Sequence, residues 1–400
     1  MMNDEPPIIP RSSPASTPQH PMLKTKPPAK VLVRVPNWVG DAVMALPALR
    51  ELRRIFSGSL ITFSARPWVA GLFQGEGLAD RFLLARDNSG AFTRARHFIS
   101  EARRLRSERF DCAVLLPNSF GSALEAWAGG ATNIAGYPTD GRRFLLNQVI
   151  PFEPQHKTLH QVRYYLNIAA QIEIGLTGAS RVDVEHCEPR LEVSEDQKER
   201  ARVLLERFGV KGKKTNPADN CPPPTNDYRL LAINPGATNS TAKRWPVDRF
   251  AEIADRLNRE GFQTIIVGAE GDRSIAEEVD RVMSTRAVLL AGETSIEELK
   301  AVLACTDLVI SNDTGAAHVS AALGVSTVVV FGPTEHVSTR PLSPRASVVR
   351  HDVECSPCML RECPIDHRCM TRVEVEDVYR AARNLIIESA GESIETNKAR

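Results

Sequence analysis

The sequence predicts an α/β protein with two Rossmann-like domains that face each other across a cleft. Short β-branched runs alternate with segments that have the apolar spacing of helices, which is typical of parallel sheets with crossover helices. The alternation stops in a polar stretch at 177–188 and then restarts, which indicates a second unit. A length of 400 residues also suits two domains better than one. Two such domains would hold a ligand in the cleft between them.

The predicted units are a disordered tail at 1–29, an N-terminal domain at 30–180 and a C-terminal domain at 181–400. The tail is rich in Pro and Ser and lacks the apolar segment of a signal peptide, and Met22 is as good a start as Met1. The proline-rich segment 211–227 is expected to be a surface insertion. The C-terminal domain is expected to end with a Cys-rich loop at 355–369 and a last helix at 375–389.

The order of elements follows from these periodicities. In the first domain, the predicted elements are strands at 30–35, 60–65 and 111–116, and helices at 42–56, 98–108 and 160–174. In the second domain, they are helices at 196–208, 247–260, 272–283 and 295–304, and strands at 230–234, 264–267, 287–290, 308–311 and 327–331.

Composition excludes several classes of protein. The chain has a formal net charge of +1, which argues against nucleic-acid binding by bulk charge. It contains no apolar run as long as a membrane span. Eight cysteines without an export signal are expected to stay reduced, which predicts a cytoplasmic protein.

The segment 308–333 predicts an anion-binding site. It reads as a buried strand, a polar turn, a short helix and a second strand. Thr314 and Gly315 stand where the helix begins, so unpaired backbone N–H groups and the positive end of the helix dipole favour an anion there. Gly315 would let a phosphate approach the backbone, and His318 can face the same ligand. The competing interpretation is an ordinary helix start capped by Asp313.

Two further strand ends of the second domain carry residues suited to a nucleoside diphosphate. Thr238 and Lys243 follow one strand in a hydroxyl-rich loop, and Lys243 suits a phosphate, although a solvated lysine is the ordinary alternative. Glu270 follows another strand, where an acid can accept both ribose hydroxyls or simply begin a helix. The chain has no GxxxxGK[ST] motif and no GxGxxG after a strand, which disfavours a P-loop enzyme or a dinucleotide-binding enzyme.

The first domain offers one candidate for a general base. Asp41 stands at the junction of the first strand and its helix, where its carboxylate would look into the cleft and accept a proton from a hydroxyl. Asp41 as a helix cap is the alternative. Asn37 and Trp38, on the same turn, are residues that often line a sugar site, but Trp38 also suits a core.

The cysteine cluster has two interpretations. Cys355, Cys358, Cys363 and Cys369 lie close together in sequence, with His367 nearby. Dense cysteines in a cytosolic protein predict a structural zinc site, whereas spacings shorter than those of common zinc ribbons favour reduced thiols that pack a loop.

Five segments resemble those of the bacterial lipopolysaccharide heptosyltransferases of glycosyltransferase family nine. These segments are VRVPNWVGDAVMALPALREL, LLPNSFGSALEAWAGG, NPGATNSTAKRWP, SNDTGAAHVSAALG and CSPCMLRECPIDHRCM. The first and last are most similar to members that add the second inner-core heptose. The resemblance runs from about residue 30 to the last helix and leaves out the insertion.

The resemblance implies a GT-B fold, an ADP-L-glycero-D-manno-heptose donor, a lipopolysaccharide inner-core acceptor and inversion at the anomeric carbon without metal or cofactor. It implies that Asp41 is the general base and that Lys243 contacts the donor diphosphate. By the same resemblance, the other donor residues are Glu270 at the ribose, Asp313 near the sugar, Thr238 in the donor loop, and Thr314, Gly315 and His318 at the helix start.

Two rival classes share this architecture, namely a nonhydrolysing sugar-nucleotide epimerase and a non-catalytic nucleotide-sugar-binding module. A membrane-bound acceptor also predicts a peripheral contact with the inner face of the cytoplasmic membrane. The basic helix face of Arg103, Arg104 and Arg106 is a candidate for that contact, and a solvated arginine face is the alternative.

Overall fold

The computed structural model describes residues 27–85, 91–151, 159–210, 229–238 and 240–398. The predicted insertion at 211–227 and residues 1–26 of the predicted tail lie outside this part of the chain. Pro28 and Ala29, at the end of that tail, are bonded to the first sheet: Ser59 Oγ donates to Pro28 O at 2.5 Å and Leu60 N to Ala29 O at 2.8 Å. No helix of the described residues is long and apolar enough to cross a membrane.

The first sheet lies within the N-terminal part of the chain. Its strands are β1 (Lys30–Arg34), β2 (Leu60–Ala65), β3 (Arg81–Leu84), β4 (Cys112–Leu115), β5 (Asn133–Gly136) and β6 (Gln148–Val149). They are all parallel, in the order β3-β2-β1-β4-β5-β6. This is the Rossmann order, in which the chain reverses direction beside β1 and opens a crevice at the carboxyl ends of the strands.

The second sheet repeats this topology. Its strands are β7 (Arg229–Asn234), β8 (Phe262–Ile266), β9 (Val288–Leu289), β10 (Leu308–Asn312), β11 (Ser326–Phe331) and β12 (Ala346–Arg350). They are also parallel, in the order β12-β11-β10-β7-β8-β9. The second crevice therefore opens at the ends of β7 and β10.

Helices cover the sheets. In the N-terminal part they are α1 (Val39–Met44), α2 (Leu46–Ile55), α3 (Pro67–Ala70), α4 (Ala91–Glu108), α5 (Phe120–Ala128) and α6 (Gln161–Thr177). In the C-terminal part they are α7 (Glu195–Arg207), α8 (Val247–Arg259), α9 (Arg273–Val282), α10 (Ile296–Ala304), α11 (Gly315–Ala322), α12 (His336–Thr339), α13 (Arg368–Thr371) and α14 (Val375–Lys398).

The predicted helix at 42–56 is two helices, α1 and α2. Pro47 lies in the first turn of α2, where a residue without an N–H is tolerated, so the chain ends one helix at Ala45 and begins another. The prediction also began this helix too late. Because α1 starts at Val39, Asp41 belongs to its first turn.

The two parts of the chain pack directly on each other. The largest buried apolar cluster contains residues of both, among them Val33 and Leu49 from the first and Val309 and Val319 from the second. The helix after β1 contacts the helix after β10, so the carboxyl edges of the two sheets face each other. The predicted class of two facing α/β domains is confirmed.

Candidate active site

Asp41 is placed by the start of α1. The N-cap of this helix is Trp38, so Asp41 does not cap it, and its carboxylate is available for another role. Burial raises the pKa of Asp41 to about 6. The charge of Lys243 lowers the pKa of Asp41 and the charge of Asp313 raises it, so the carboxylate interacts electrostatically with residues of the other domain. A base with a pKa near neutrality suits proton abstraction from a hydroxyl.

Lys243 and Asp313 form an ion pair at the carboxyl edge of the second sheet. Lys243 Nζ lies 2.7 Å from Asp313 Oδ2 and donates to Asp313 O at 3.3 Å. The same Oδ2 accepts Thr334 Oγ1 at 2.7 Å, so the carboxylate is fixed from two sides. Sequence reasoning did not select Thr334, although it follows β11 and therefore lies at the same sheet edge.

The loop before Lys243 is anchored to the end of β10. Asn312 Oδ1 accepts Trp245 N at 2.9 Å, and Asn312 Nδ2 donates to Pro235 O at 2.9 Å and Gly236 O at 3.3 Å. Asn312 is fully buried. Because a buried amide with several bonds is costly to displace, the loop is held rigidly beside Asp313.

The start of α11 has free hydrogen-bonding capacity. Its N-cap, Thr314, makes no side-chain cap bond, and Thr314 Oγ1 lies 3.1 Å from Ser311 Oγ. Asn234, at the end of β7, reaches Thr314 Oγ1 at 3.5 Å through Nδ2. Its buried Oδ1 finds no partner among the described residues. Asn234 begins the predicted donor loop but was not selected from sequence, because an asparagine there also suits a simple turn.

Gly315 and His318 lie in the contact between the domains. A Cβ on Gly315 would be 2.7 Å from Val39 Cβ, so this glycine is required by helix packing as well as by any phosphate. A Cβ on Gly40 would be 3.0 Å from the ring of His318. Burial lowers the pKa of His318 to about 4, so the ring is neutral near pH 7.

Glu270 and Thr238 lie outside this cluster. The Glu270 side chain is 79% exposed, with Oε1 3.9 Å from Arg273 Nε. Gly292, at φ +79°, lies so close that a Cβ there would be 2.4 Å from Glu270 Oε2. Thr238 is exposed. Both residues follow strands of the second sheet, but the structure does not bring either into contact with Lys243.

The predicted acceptor residues are divided between two places. Trp38 is 54% exposed, beside Asp41, and its neighbour Asn37 accepts a bond from Trp68 Nε1 through its backbone oxygen at 2.9 Å. These residues line the carboxyl edge of the first sheet.

The arginines of α4 lie on a helix that runs between the two edges of that sheet, since Arg104 contacts the end of β3 and Glu108 the beginnings of β1 and β3. Glu108, at the end of α4, contacts the beginnings of two strands: its backbone O accepts Lys30 Nζ at 3.0 Å, and its carboxylate pairs with Arg81 at 2.9 Å. Arg103 and Arg106 are exposed, and Arg104 donates to Leu84 O at 3.0 Å. The structure does not bring them to Asp41, and their acceptor role stays a prediction.

The Cys-rich loop braces the Lys243 loop. His367 Nε2 lies 2.6 Å from Ala242 O, and Arg361 O accepts Ala242 N at 3.0 Å. Cys355 and Cys358 are exposed, whereas Cys369 is buried, which raises the pKa of its thiol to about 11. Within the described residues, no three of the His, Cys, Asp and Glu side chains are arranged to hold a metal ion. Cys355, Cys358 and Cys363 nevertheless lie near Cys369, since their charges add to the rise of its pKa, and the zinc interpretation stays a prediction.

Comparison with known proteins shows the family of this chain. The profile of the family described as glycosyltransferase family 9 (heptosyltransferase) matches residues 98–368. The chain belongs to this family, as the sequence resemblance predicted.

Relatives and a solved structure similar to this chain are also heptosyltransferases. Lipopolysaccharide heptosyltransferase 2 of Escherichia coli K12 is 29% identical over 330 residues, which cover 80% of this chain and 88% of the relative. Lipooligosaccharide heptosyltransferase 2 of Campylobacter jejuni serotype O:2 is 27% identical over 365 residues, covering 89% and 98%. The solved E. coli ADP-heptose lps heptosyltransferase II superposes with a TM-score of 0.72 at 25% identity, covering 90% of this chain and 99% of that one. The predicted GT-B fold and the assignment as a glycosyltransferase are confirmed.

Proposed function

We propose that this chain transfers heptose from ADP-L-glycero-D-manno-heptose to the inner core of lipopolysaccharide, and that it adds the second heptose. The observation that carries the proposal is the Asp41 carboxylate, which is partly buried and faces the Lys243–Asp313 pair of the other domain. Membership of a heptosyltransferase family and relatives named heptosyltransferase 2 support the choice of sugar and of acceptor.

Asp41 activates the acceptor. Its carboxylate takes the proton from the acceptor hydroxyl while the hydroxyl oxygen attacks the anomeric carbon of the donor heptose. The new C–O bond forms as the bond between that carbon and the diphosphate oxygen breaks, and the electron pair of the broken bond leaves with ADP. A single displacement of this kind inverts the configuration at the anomeric carbon.

Lys243 and the start of α11 receive the leaving group. An ammonium has three N–H donors. Among the described residues, Asp313 accepts two of those of Lys243, which leaves one for a phosphate oxygen. The N–H groups at Thr314 and Gly315 add the positive end of the α11 dipole. Since charge on ADP grows as the bond breaks, these donors stabilise the transition state more than the bound donor and take the place of a metal.

Asp313 and Glu270 complete the donor site in this proposal. Lys243 and Thr334 hold the Asp313 carboxylate on the side of the sugar. There, its negative charge stabilises the positive charge that develops at the anomeric carbon. Glu270 accepts the ribose hydroxyls. His318 is neutral, and its role is to pack against Gly40 in the interface between the domains.

The enzyme is proposed to act in the cytoplasm, in peripheral contact with the inner face of the cytoplasmic membrane, where its acceptor is built. Arg103 and Arg106 are exposed side chains of α4, and the structure does not bring them to Asp41. Their proposed contact is therefore with the anionic membrane-bound part of the acceptor or with the surrounding lipid.

The test uses ADP-heptose with three truncated core acceptors that carry no heptose, one heptose or two. We expect ADP release only with the one-heptose acceptor, and a mass increase of that acceptor by one heptose. The reaction should proceed in EDTA. Conversion of the sugar nucleotide without acceptor would instead establish an epimerase, and binding without turnover would establish a binding module. Both alternatives are disfavoured by the match to a heptosyltransferase family. Extension of the heptose-free acceptor would mean that the chain adds the first heptose.

A further inference from the structure

A buried ion pair joins the two domains at a second place. Lys300, in the middle of α10, has a side chain that is 0% exposed. Its Nζ donates to Leu72 O at 3.3 Å and Gln74 O at 3.1 Å, and lies 3.3 Å from Glu76 Oε1. All three acceptors belong to the N-terminal domain, whereas the ammonium belongs to the C-terminal domain. The three N–H groups of the lysine are therefore satisfied only across the interface.

Glu76 also connects this lysine to residues 178–194, the connecting segment between α6 and α7. Its carboxylate, 2% exposed, lies 3.2 Å from Arg50 Nη2 and accepts Glu192 N at 3.0 Å. Arg50 Nη2 also donates to Arg190 O at 2.7 Å. One carboxylate thus holds α2 of the first domain, the connecting segment and α10 of the second domain together.

The geometry of this contact is specific. A buried ion pair contributes little net stability compared with an apolar pair of similar size, because both charges lose their hydration. An ammonium with three acceptors nevertheless fits one arrangement, and loss of either partner leaves a charge buried. The backbone beside it is close-packed, since a Cβ on Gly71 would be 2.7 Å from Ile296 Cγ2. The contact therefore sets the relative placement of the domains more than it stabilises either one.

That placement determines the active site. Helix α10 leads into β10, and the end of β10 carries the turn with Asp313. The interface also contains the contacts of Val39 with Gly315 and of Gly40 with His318, and Val39 and Gly40 immediately precede Asp41 in the chain. A small rotation of one domain at Lys300 would move Asp313 and Lys243 away from Asp41.

We infer that Lys300 and Glu76 are positioning residues, which hold the domains in the arrangement that places Asp41 opposite Lys243 and Asp313. The inference rests on the proposed transferase function. A displacement of about 1 Å between reacting groups lowers turnover by roughly 100-fold, so the pair influences the rate without touching either substrate.

The pH dependence of the reaction depends on this arrangement of the domains, because the arrangement keeps Asp41 buried. Burial is the largest cause of the raised pKa of Asp41, and the groups facing the carboxylate are Lys243 and Asp313 from the second domain and Tyr165 from α6. If the domains separate, water reaches Asp41 and its pKa falls from about 6 toward its ordinary 3.8. The acidic limb of kcat/KM then moves to lower pH, although the rate itself falls.

The experiment compares Glu76→Gln, Lys300→Met and the double variant with the full-length wild type. Glu76→Gln is the mild change, because the amide keeps the volume and one acceptor. We expect kcat to fall by roughly 10- to 100-fold and the acidic limb to shift by about 1 to 2 pH units. The Kd for ADP should be unchanged, since the donor contacts lie within the second domain. The double variant should be no worse than the worse single variant, as expected for residues that act as a unit.

Lys198→Met is the matched control, because Lys198 pairs with Glu195 within α7 on the surface and should leave all these quantities unchanged. A loss of rate with an unmoved acidic limb would reduce the pair to a structural role and overturn the inference. Hydrogen exchange of the α1 and α11 backbone amides supplies a readout that does not need activity, with faster exchange expected for Glu76→Gln than for the wild type. Equal exchange rates would also overturn the inference. An inactive wild type with faster exchange in the variant would instead reject the proposed function and keep the positioning role.

Discussion

Replacement of Asp41 by Asn is expected to stabilise the protein while it abolishes most of its activity. The carboxylate is isosteric with the amide, so packing is preserved. The folded-state pKa of about 6 lies above the ordinary 3.8, which means that folding disfavours the ionised form of Asp41. At about 1.36 kcal/mol for each pH unit, this difference corresponds to a free energy on the order of 3 kcal/mol.

The sign of the effect sets its pH dependence. Below pH 3.8 the carboxyl is protonated in both the folded and the unfolded states, so wild type and variant should have similar stabilities. As the pH rises toward about 6, the unfolded state loses its proton first, and the wild type becomes less stable. The asparagine does not ionise, so the stability advantage of the variant should grow over this range and stay constant above it.

The assay is urea unfolding of both proteins from acid to neutral pH, together with turnover and ADP binding at each pH. We expect kcat to fall by roughly 100-fold or more with an unchanged Kd for ADP. Asp196→Asn is the matched control, since Asp196 is an exposed acid in the first turn of α7 and should change stability by less than about 1 kcal/mol. A stability difference that does not vary with pH, or a variant that is less stable at neutral pH, would refute the electrostatic reasoning. Near-normal turnover would refute the role of Asp41 as base.

Four further outcomes are expected. Lys243→Ala should weaken ADP binding and also lower kcat, because the charge on the leaving group grows in the transition state; isothermal titration and turnover separate the two effects, and an effect on binding alone would contradict the mechanism. Glu270→Ala should weaken ADP binding by about 1 to 2 kcal/mol with little effect on kcat, and equal binding by the variant would remove Glu270 from the ribose site. Arg103→Gln with Arg106→Gln should raise the KM for acceptor and blunt its salt dependence but leave the KM for donor unchanged; unaltered acceptor kinetics at low salt, where screening is weakest, would make this a solvated face. Gly315→Ala should destabilise the protein by about 1 to 3 kcal/mol through a clash between the domains, and a thermal unfolding curve like that of the wild type would show that the interface adapts.

Sequence patterns were informative where the determinants are local. Continuous apolar runs, which are typical of buried parallel strands, predicted the ends of β1, β2 and β10 to within one residue. Short strands at the sheet edges, such as β3 and β6, were not predicted. Their few residues are partly exposed, so no pattern distinguishes them from loops.

The donor half of the candidate site followed largely from sequence. Glu270 and Asp313 stand just after predicted strands and Lys243 lies in the loop that follows another, and parallel strands bring their carboxyl ends to one edge. The tertiary structure added the contact of Thr334 with Asp313 and the unpaired oxygen of Asn234. Neither has a local signal, because threonine and asparagine are common in turns.

The sequence by itself determined the class of fold, the two repeats of the Rossmann topology, the family and the strand ends that carry the site. Only the tertiary structure decided how the two halves meet. Asp41 and Lys243 come from different domains, Gly315 is small because Val39 lies against it, and Lys300 pairs with a carboxylate 224 residues away in the chain. Such contacts depend on the relative placement of two independently patterned units, and neither helical nor strand periodicity contains that information.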